Sequence, residues 1–327
     1  MSNKSVLVSG GAGYIGTHTC ISLLEAGWDV VVIDNLDTGV KEQLPEAVTF
    51  YEADVGDYDH TLNVLMRHGC RSIIHFAGFT VVPESVTDPL KYYRNNTCVS
   101  RSLIEASIAA GIESFIFSST AAVYGDPETL PVTEDEPVKP LTPYGTSKLM
   151  TEYMLRDVAA ATDLKYVALR YFNVAGADPQ GRTGQSTPNA THLIKVACEV
   201  AAGQRPSMQI FGDDYDTIDG TCVRDFIHVT DLADAHVAAL DYLRDGGESQ
   251  IMNCGYGRGF SVRQVVDIVG EISGAPINAV VGPRREGDIV DICAATDRLR
   301  SVLGWVPKHD DLHEIISSAY AWENRER

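Results

Sequence analysis

No apolar run in this chain approaches the ~20 residues that a membrane-spanning helix needs, so a membrane protein is not expected. Basic residues are scarce: 26 Lys and Arg stand against 45 Asp and Glu, a formal net charge of −19. Nucleic acids are bound through basic surfaces, which argues against them as partners. Any anionic small ligand must then be held by local arginines and backbone amides against an unfavourable overall field. Closely spaced cysteines are also missing. The seven, at 20, 70, 98, 198, 222, 254 and 293, make neither a disulfide framework nor a zinc spacing, and read as buried thiols in a reducing compartment with no metal site. There is no internal repeat, low-complexity tract or obvious linker, and strand-like residues begin by Val6, too early for a signal peptide. The expectation left standing is a cytoplasmic globular protein of one large or two medium domains, with an ordinary 44% hydrophobic and 22% charged residues over 327 positions.

What is present begins near the N-terminus. Ser5-Val6-Leu7-Val8-Ser9 has strand character, Gly10-Gly11-Ala12-Gly13-Tyr14-Ile15-Gly16 follows directly, and a helix is expected from about Thr17 to Ala26, with Gly27 as its stop. A second apolar run, Asp29 to Ile33, ends at Asp34. This is a βαβ unit whose glycines lie where backbone must approach a pyrophosphate at a helix N-terminus. Asp34 suits the adenosine ribose hydroxyls and repels a 2′-phosphate, so NAD is favoured over NADP. Three more strand-like runs, Ser72 to Phe76, Ser114 to Ser118 and Tyr166 to Tyr171, alternate with helical segments. The fold class is thus α/β, a Rossmann-like doubly wound parallel sheet followed by a smaller mixed α/β domain. Asp54-Val55, Phe76-Ala77-Gly78 and Ser118-Ser119-Thr120 fall at strand carboxyl ends, where ligands bind in such sheets.

Tyr144-Gly145-Thr146-Ser147-Lys148 places a phenol and an ammonium one helical turn apart, just after Thr142-Pro143, which reads as an N-cap and first helical residue. Tyrosine is a poor base at neutral pH unless a nearby cation favours the phenolate, and Lys148 is available for that. Both the Tyr-x-x-x-Lys pair and the G-x-x-G-x-x-G spacing resemble the short-chain dehydrogenase/reductase superfamily.

Eight strings in order, GGAGYIG, VIDNL, HFAG, SSTAAVYGD, PYGTSK, LRYFNVAGA, VRDFIHVTDLA and PRREGD, resemble the UDP-galactose (UDP-glucose) 4-epimerase family of that superfamily over nearly the whole chain. The resemblance implies that Tyr144 takes the proton of the sugar 4-hydroxyl while hydride leaves C4 for bound NAD. A 4-ketose forms, turns over, and takes the hydride back on its opposite face. Lys148 would bind the nicotinamide ribose and lower the Tyr144 pKa. Thr120 stands where the family often has serine, bridging the sugar oxygen and Tyr144. Ala121-Ala122 replace the Asp-Glu pair of related dehydratases, which disfavours dehydration.

The same resemblance assigns cofactor contacts to Gly10, Gly13, Tyr14, Ile15, Gly16, Asp34, Asn35, Asp54, Val55, Phe76, Ala77, Gly78, Asn95, Ser118, Tyr144, Lys148 and Tyr171. It assigns UDP-sugar contacts to Thr120, Tyr144, Phe172, Asn173, His192, Leu193, Phe211, Arg224, Arg285, Asp288 and Ile292. Ile292 occupies the position that sizes the pocket for the sugar 2-substituent, between a tyrosine that excludes N-acetyl groups and smaller residues that admit them. Three departures stand out: Phe79-Thr80 where a hydrophobic residue and lysine are usual, Pro83 for a glycine, and Val99 for a helix glycine. Residues 1–172 are expected to form the NAD-binding domain and 173–327 mainly the UDP-sugar-binding domain, with a segment near 224–231 returning to the first. A homodimer is implied, paired through the Tyr144 helix and a helix near Asn95 to Ala110. The competing readings are a 4-epimerase for UDP-N-acetylhexosamines or UDP-xylose, and a catalytically silent NAD-binding regulator.

Overall fold

The computed structural model describes residues 4–187, 190–285 and 288–325. In chain order the strands are β1 (Ser5–Ser9), β2 (Asp29–Asp34), β3 (Thr49–Glu52), β4 (Ser72–His75), β5 (Ser114–Thr120), β6 (Lys165–Tyr171), β7 (Asn173–Ala175), β8 (Met208–Phe211), β9 (Val223–His228), β10 (Gln250–Cys254), β11 (Gly259–Ser261), β12 (Ala279–Gly282) and β13 (Asp291–Ile292). The helices are α1 (Tyr14–Glu25), α2 (Tyr58–His68), α3 (Val82–Thr87), α4 (Pro89–Tyr92), α5 (Val99–Ala110), α6 (Pro143–Ala161), α7 (Leu193–Ala201), α8 (Val229–Arg244), α9 (Val262–Ser273), α10 (Asp297–Leu303) and α11 (Leu312–Glu323).

Seven strands form one parallel sheet in the order β10-β6-β5-β4-β1-β2-β3. Successive side chains of a strand point to opposite faces, and here both faces are covered. Val6, Val8, Val30, Val32, Ile74 and Leu169 share one core with Leu23 of α1 and Leu232 and Leu240 of α8. Leu7, Val31, Ile33, Ile73 and Phe117 share the other with Leu65 of α2, Leu103 of α5 and Leu155 of α6. Burial on both faces is why β1 and β2 read as near-continuous apolar runs. The order reverses at β1, which is flanked by β2 and β4, and a crevice opens at the carboxyl ends there.

The remaining strands are organised around β9. It pairs in parallel with β7 and β13 and antiparallel with β11, while β8 and β12 form a two-stranded parallel ribbon. Residues 224–231 make up most of β9 and the start of α8. The chain rejoins the large sheet through α8, which packs on α1, and through β10 beside β6. α1 begins at Tyr14, three residues before the expected start, so Gly16 lies in its first turn. Tyr93–Cys98 is a π-helical turn running straight into α5. All seven cysteines are free thiols. Among the described residues no helix is long and apolar enough to cross a membrane.

Candidate active site

The glycines after β1 are required by contact as well as by turn geometry. Gly10 adopts φ +70°, and a Cβ on it would stand 2.6 Å from the Ala77 nitrogen; one on Gly16 would stand 2.3 Å from the Gly10 carbonyl. Gly13, the α1 N-cap, brings no side-chain cap, so the first-turn amides stay open to a ligand. At the end of β2 the Asp34 carboxylate accepts from the amides of Ala12 (3.0 Å) and Leu36 (2.8 Å). Burial raises its pKa, and those two amides pull the other way. Asp54 holds its own turn by accepting from the Gly56 amide at 2.8 Å. This glycine cradle, open helix end and strand-end carboxylate fit the pyrophosphate and ribose of a dinucleotide.

The catalytic candidates meet where β5 ends and α6 begins. Thr142 caps α6 by accepting from the Gly145 amide at 3.3 Å, which aims the first turn and Tyr144 at the end of β5. Burial pushes the Tyr144 phenol above the ordinary tyrosine range, and its hydrogen bond with Thr120 acts in the opposite sense. Lys148 is one layer back: its Nζ donates to the Ser118 carbonyl at 3.0 Å, 5.2 Å from the centre of the Phe117 ring. Burial lowers its pKa to about 8. Ser118 Oγ and the Tyr171 hydroxyl hydrogen-bond on the cleft wall.

Sequence reasoning passed over Asn96, one residue beyond Asn95. Its amide is buried, accepts from Phe79 N at 2.8 Å and donates to Phe79 O at 3.0 Å and Ser147 Oγ at 3.1 Å. Asn95 Oδ1 accepts from the same Phe79 nitrogen at 3.2 Å. The available signal was two adjacent asparagines, poor helix formers, inside an otherwise helical run. Buried His75 was also missed; it bridges Ser9 Oγ (2.6 Å) and Ser100 Oγ (2.8 Å), and burial lowers its pKa to about 3.

From the second half of the chain, Asn173 donates from Nδ2 to the Asp225 carbonyl at 3.3 Å. Arg224 Nη2 lies 3.8 Å from Asp288 Oδ1, and the Arg285 guanidinium stacks 3.9 Å from the Phe211 ring centre. His192, at the head of α7 before Leu193, pairs through Nδ1 with Gln185 Nε2 at 2.9 Å, and burial lowers its pKa. Ile292 is buried on β13 and packs with Ala121, Tyr124, Leu149 and Phe172. Asn173, Arg224, Arg285, Asp288, Phe211, His192, Leu193 and Ile292 border one cleft of about 1060 Å³ that runs from Gly10 and Asp34 past Tyr144 to the two arginines. It takes in every predicted cofactor and substrate residue except Lys148, which supports the wall from behind; Thr80 and Pro83 stand on its rim. Two positions of the PRREGD string, 286 and 287, lie outside the described residues.

Residues 6–255 match the NAD dependent epimerase/dehydratase family. A UDP-glucose 4-epimerase of Azospirillum brasilense is 58% identical over 98% of this chain and 92% of its own length. The crystal structure of UDP-glucose 4-epimerase from Brucella ovis in complex with NAD superposes with a TM-score of 0.96 at 42% identity, covering 98% of this chain and 99% of that one. The UDP-Glc/GlcNAc 4-epimerase of Campylobacter jejuni superposes at 0.85 with 48% identity, covering 98% of both chains.

Proposed function

We propose that this chain, which belongs to the NAD dependent epimerase/dehydratase family, inverts C4 of a UDP-hexose, interconverting UDP-glucose and UDP-galactose. One observation carries the reading: a buried Tyr144 hydroxyl, hydrogen-bonded to Thr120, faces a cleft that joins a dinucleotide cradle to a pair of arginines. When bound, NAD supplies the hydride acceptor that makes C4 a ketone and then gives the hydride back.

The rest falls to the side chains. Gly10, Gly13 and Gly16, with the open end of α1, hold the NAD pyrophosphate, and Asp34 holds the adenosine ribose. Arg224 and Arg285 clamp the UDP diphosphate, since guanidinium forks match phosphate oxygens. Asn173, His192, Leu193 and Phe211 hold the nucleoside. With UDP fixed at one end, the sugar swings about its phosphate link and presents either face of C4. Tyr144 takes the 4-hydroxyl proton, with Thr120 bridging the two oxygens, and returns it after the swing. Its phenol starts above the ordinary pKa, so ionisation needs positive charge brought by the bound cofactor and by Lys148. Residues 1–172 serve mainly the cofactor and 173–327 mainly the sugar nucleotide.

A second reading, that UDP-N-acetylhexosamines are also epimerised, is favoured by Ile292, a residue smaller than tyrosine on the sugar wall, and by the 48% identity to the Campylobacter jejuni UDP-Glc/GlcNAc 4-epimerase. We also place the protein in the cytoplasm, consistent with its free thiols, and pair two copies through α6 and the 93–110 helix, where Met150 and Tyr153 are 40% and 43% exposed. Purified protein given UDP-galactose, UDP-N-acetylgalactosamine or UDP-xylose should convert the first, as read by chromatography; no conversion of any with NAD added would reject the assignment. Sedimentation of the same sample should give twice the chain mass.

A further inference from the structure

Two elements that bear on the sugar, α6 with Tyr144 and β13 with Ile292, share one apolar cluster through Leu149 of α6. They are also joined by a line of buried polar groups. On α6, two turns past Tyr144, Glu152 accepts from Arg170 of β6 in a bidentate pair, Nε to Oε1 at 2.9 Å and Nη2 to Oε2 at 2.6 Å. Ser119, beside Thr120, donates to the same carboxylate at 2.5 Å. Arg170 Nη1 donates to the Tyr124 hydroxyl at 3.1 Å, and that hydroxyl donates to Asn253 Oδ1 at 2.6 Å. Asn253 Nδ2 then donates to the Val132 carbonyl at 2.8 Å. Val132 pairs with the chain just after Ile292: its amide donates to Cys293 O at 2.8 Å, and its carbonyl accepts from Ala295 N at 2.7 Å.

Glu152, Arg170, Tyr124 and Asn253 are 2%, 4%, 1% and 0% exposed. Water therefore does not compete for these bonds, and each link fixes the next. The Tyr124 ring also belongs to the same apolar cluster as Ile292, with Ala121 and Leu149. The side chain thus touches the sugar wall through its ring and reaches the catalytic helix through its hydroxyl.

The geometry points to Tyr124 as a specificity-determining residue: through Asn253 and Val132 it sets how far Ile292 stands from Tyr144, and so how large a substituent the sugar pocket accepts. It is a positioning residue, since the bonds above tie it to protein groups and its effect passes through Ile292. The assignment rests on the epimerase reading above. An enzyme that must hold one sugar in two orientations gains from a rigid wall, because slack on that side admits unproductive poses.

Tyr124→Phe keeps the ring and removes the hydroxyl, parting Arg170 from Asn253 and leaving the Glu152–Arg170 pair in place. Calorimetry should show the ratio of UDP-N-acetylgalactosamine to UDP-galactose affinity rising at least about threefold, and the ratio of kcat/KM values moving the same way, with NAD content unchanged. Asn253→Asp cuts the next link, replacing the donor to Val132 by an acceptor; it must give the same shift, and it decides the matter if Tyr124→Phe does not fold. In a double-mutant cycle, Tyr124→Phe and Ile292→Val should be non-additive on that ratio. Ratios at the wild-type value in the folded variants, with only a lower Tm, would overturn the assignment and make the network merely structural. Wild-type protein that converts no UDP-sugar would instead remove the epimerase reading, which the affinity ratios probe separately.

Discussion

In the proposed reaction Tyr144 has to release a proton from surroundings that favour keeping it. Burial raises its pKa, and Thr120 offsets only part of that. Lys148, whose own pKa is lowered to about 8 by burial, donates to the Ser118 carbonyl. Replacing Tyr144 by Phe removes the proposed proton carrier and leaves Arg224, Arg285, Asn173 and the other residues proposed to hold UDP untouched. Turnover should drop by about 10²–10⁴-fold, the usual reach of a positioned acid–base group, while UDP affinity by calorimetry stays near wild type. Near-normal turnover would move the base elsewhere. Tyr144 and Lys148 were readable as a candidate pair from their types and spacing, whereas Thr120 was marked by its place at a strand end and by the family resemblance. Glu152 and Arg170 were not, because charged residues look like surface until a fold shows their partner. They lie 18 positions apart and meet only when α6 packs on β6.

At the scale of elements, the β1–α1–β2 unit was legible because apolar runs and glycines fall in one short stretch. The start of α1 was misjudged: a glycine at position 16 argues for loop, yet here it is a helical residue kept bare by the Gly10 carbonyl. β10 escaped because it is an edge strand whose polar residues blur the apolar signal, and β3, at the other edge, was marked only by Asp54-Val55 as a strand end. Gly16→Ala tests the tight crossing directly. Its methyl group would sit 2.3 Å from a backbone oxygen, so the cradle must shift. Overpacking of this kind costs about 1–3 kcal/mol, which corresponds to roughly 5- to 150-fold if it falls on NAD affinity. Nucleotide released on denaturation should fall correspondingly; a full complement would show that the turn yields without disturbing the site.

For the whole molecule, buried histidines dominate the response to acid. His75 and His228 are lowered by burial to about 3, and His18 and His236 to about 4. An unfolded histidine takes its proton near the ordinary 6.5, so below that pH the unfolded state binds protons that the native state refuses. Stability then falls as pH drops from about 6.5 toward 3–4, by about 1.4 kcal/mol per pH unit for each such group. Asp34 and Asp225, raised by burial, act in the opposite sense, since the native state protonates them first as the pH falls. With His192 also lowered and Asp291 also raised by burial, five histidines stand against three carboxyls, which leaves a net loss. Thermal unfolding followed by circular dichroism should show Tm falling steadily between pH 6.5 and 4.5, and a flat profile would contradict the neutral buried imidazoles.

The place of β10 in the large sheet has a consequence for how the chain is made. The other six strands emerge from the ribosome within the first 171 residues, but the one that covers the free edge of β6 lies at Gln250–Cys254. Until those residues appear, the nascent sheet presents an unpaired, largely apolar strand edge next to Tyr171, the kind of edge that recruits other chains. A polypeptide cut short between β6 and β10 would carry the whole glycine cradle and the Tyr144 helix, and would still be a sticky fragment.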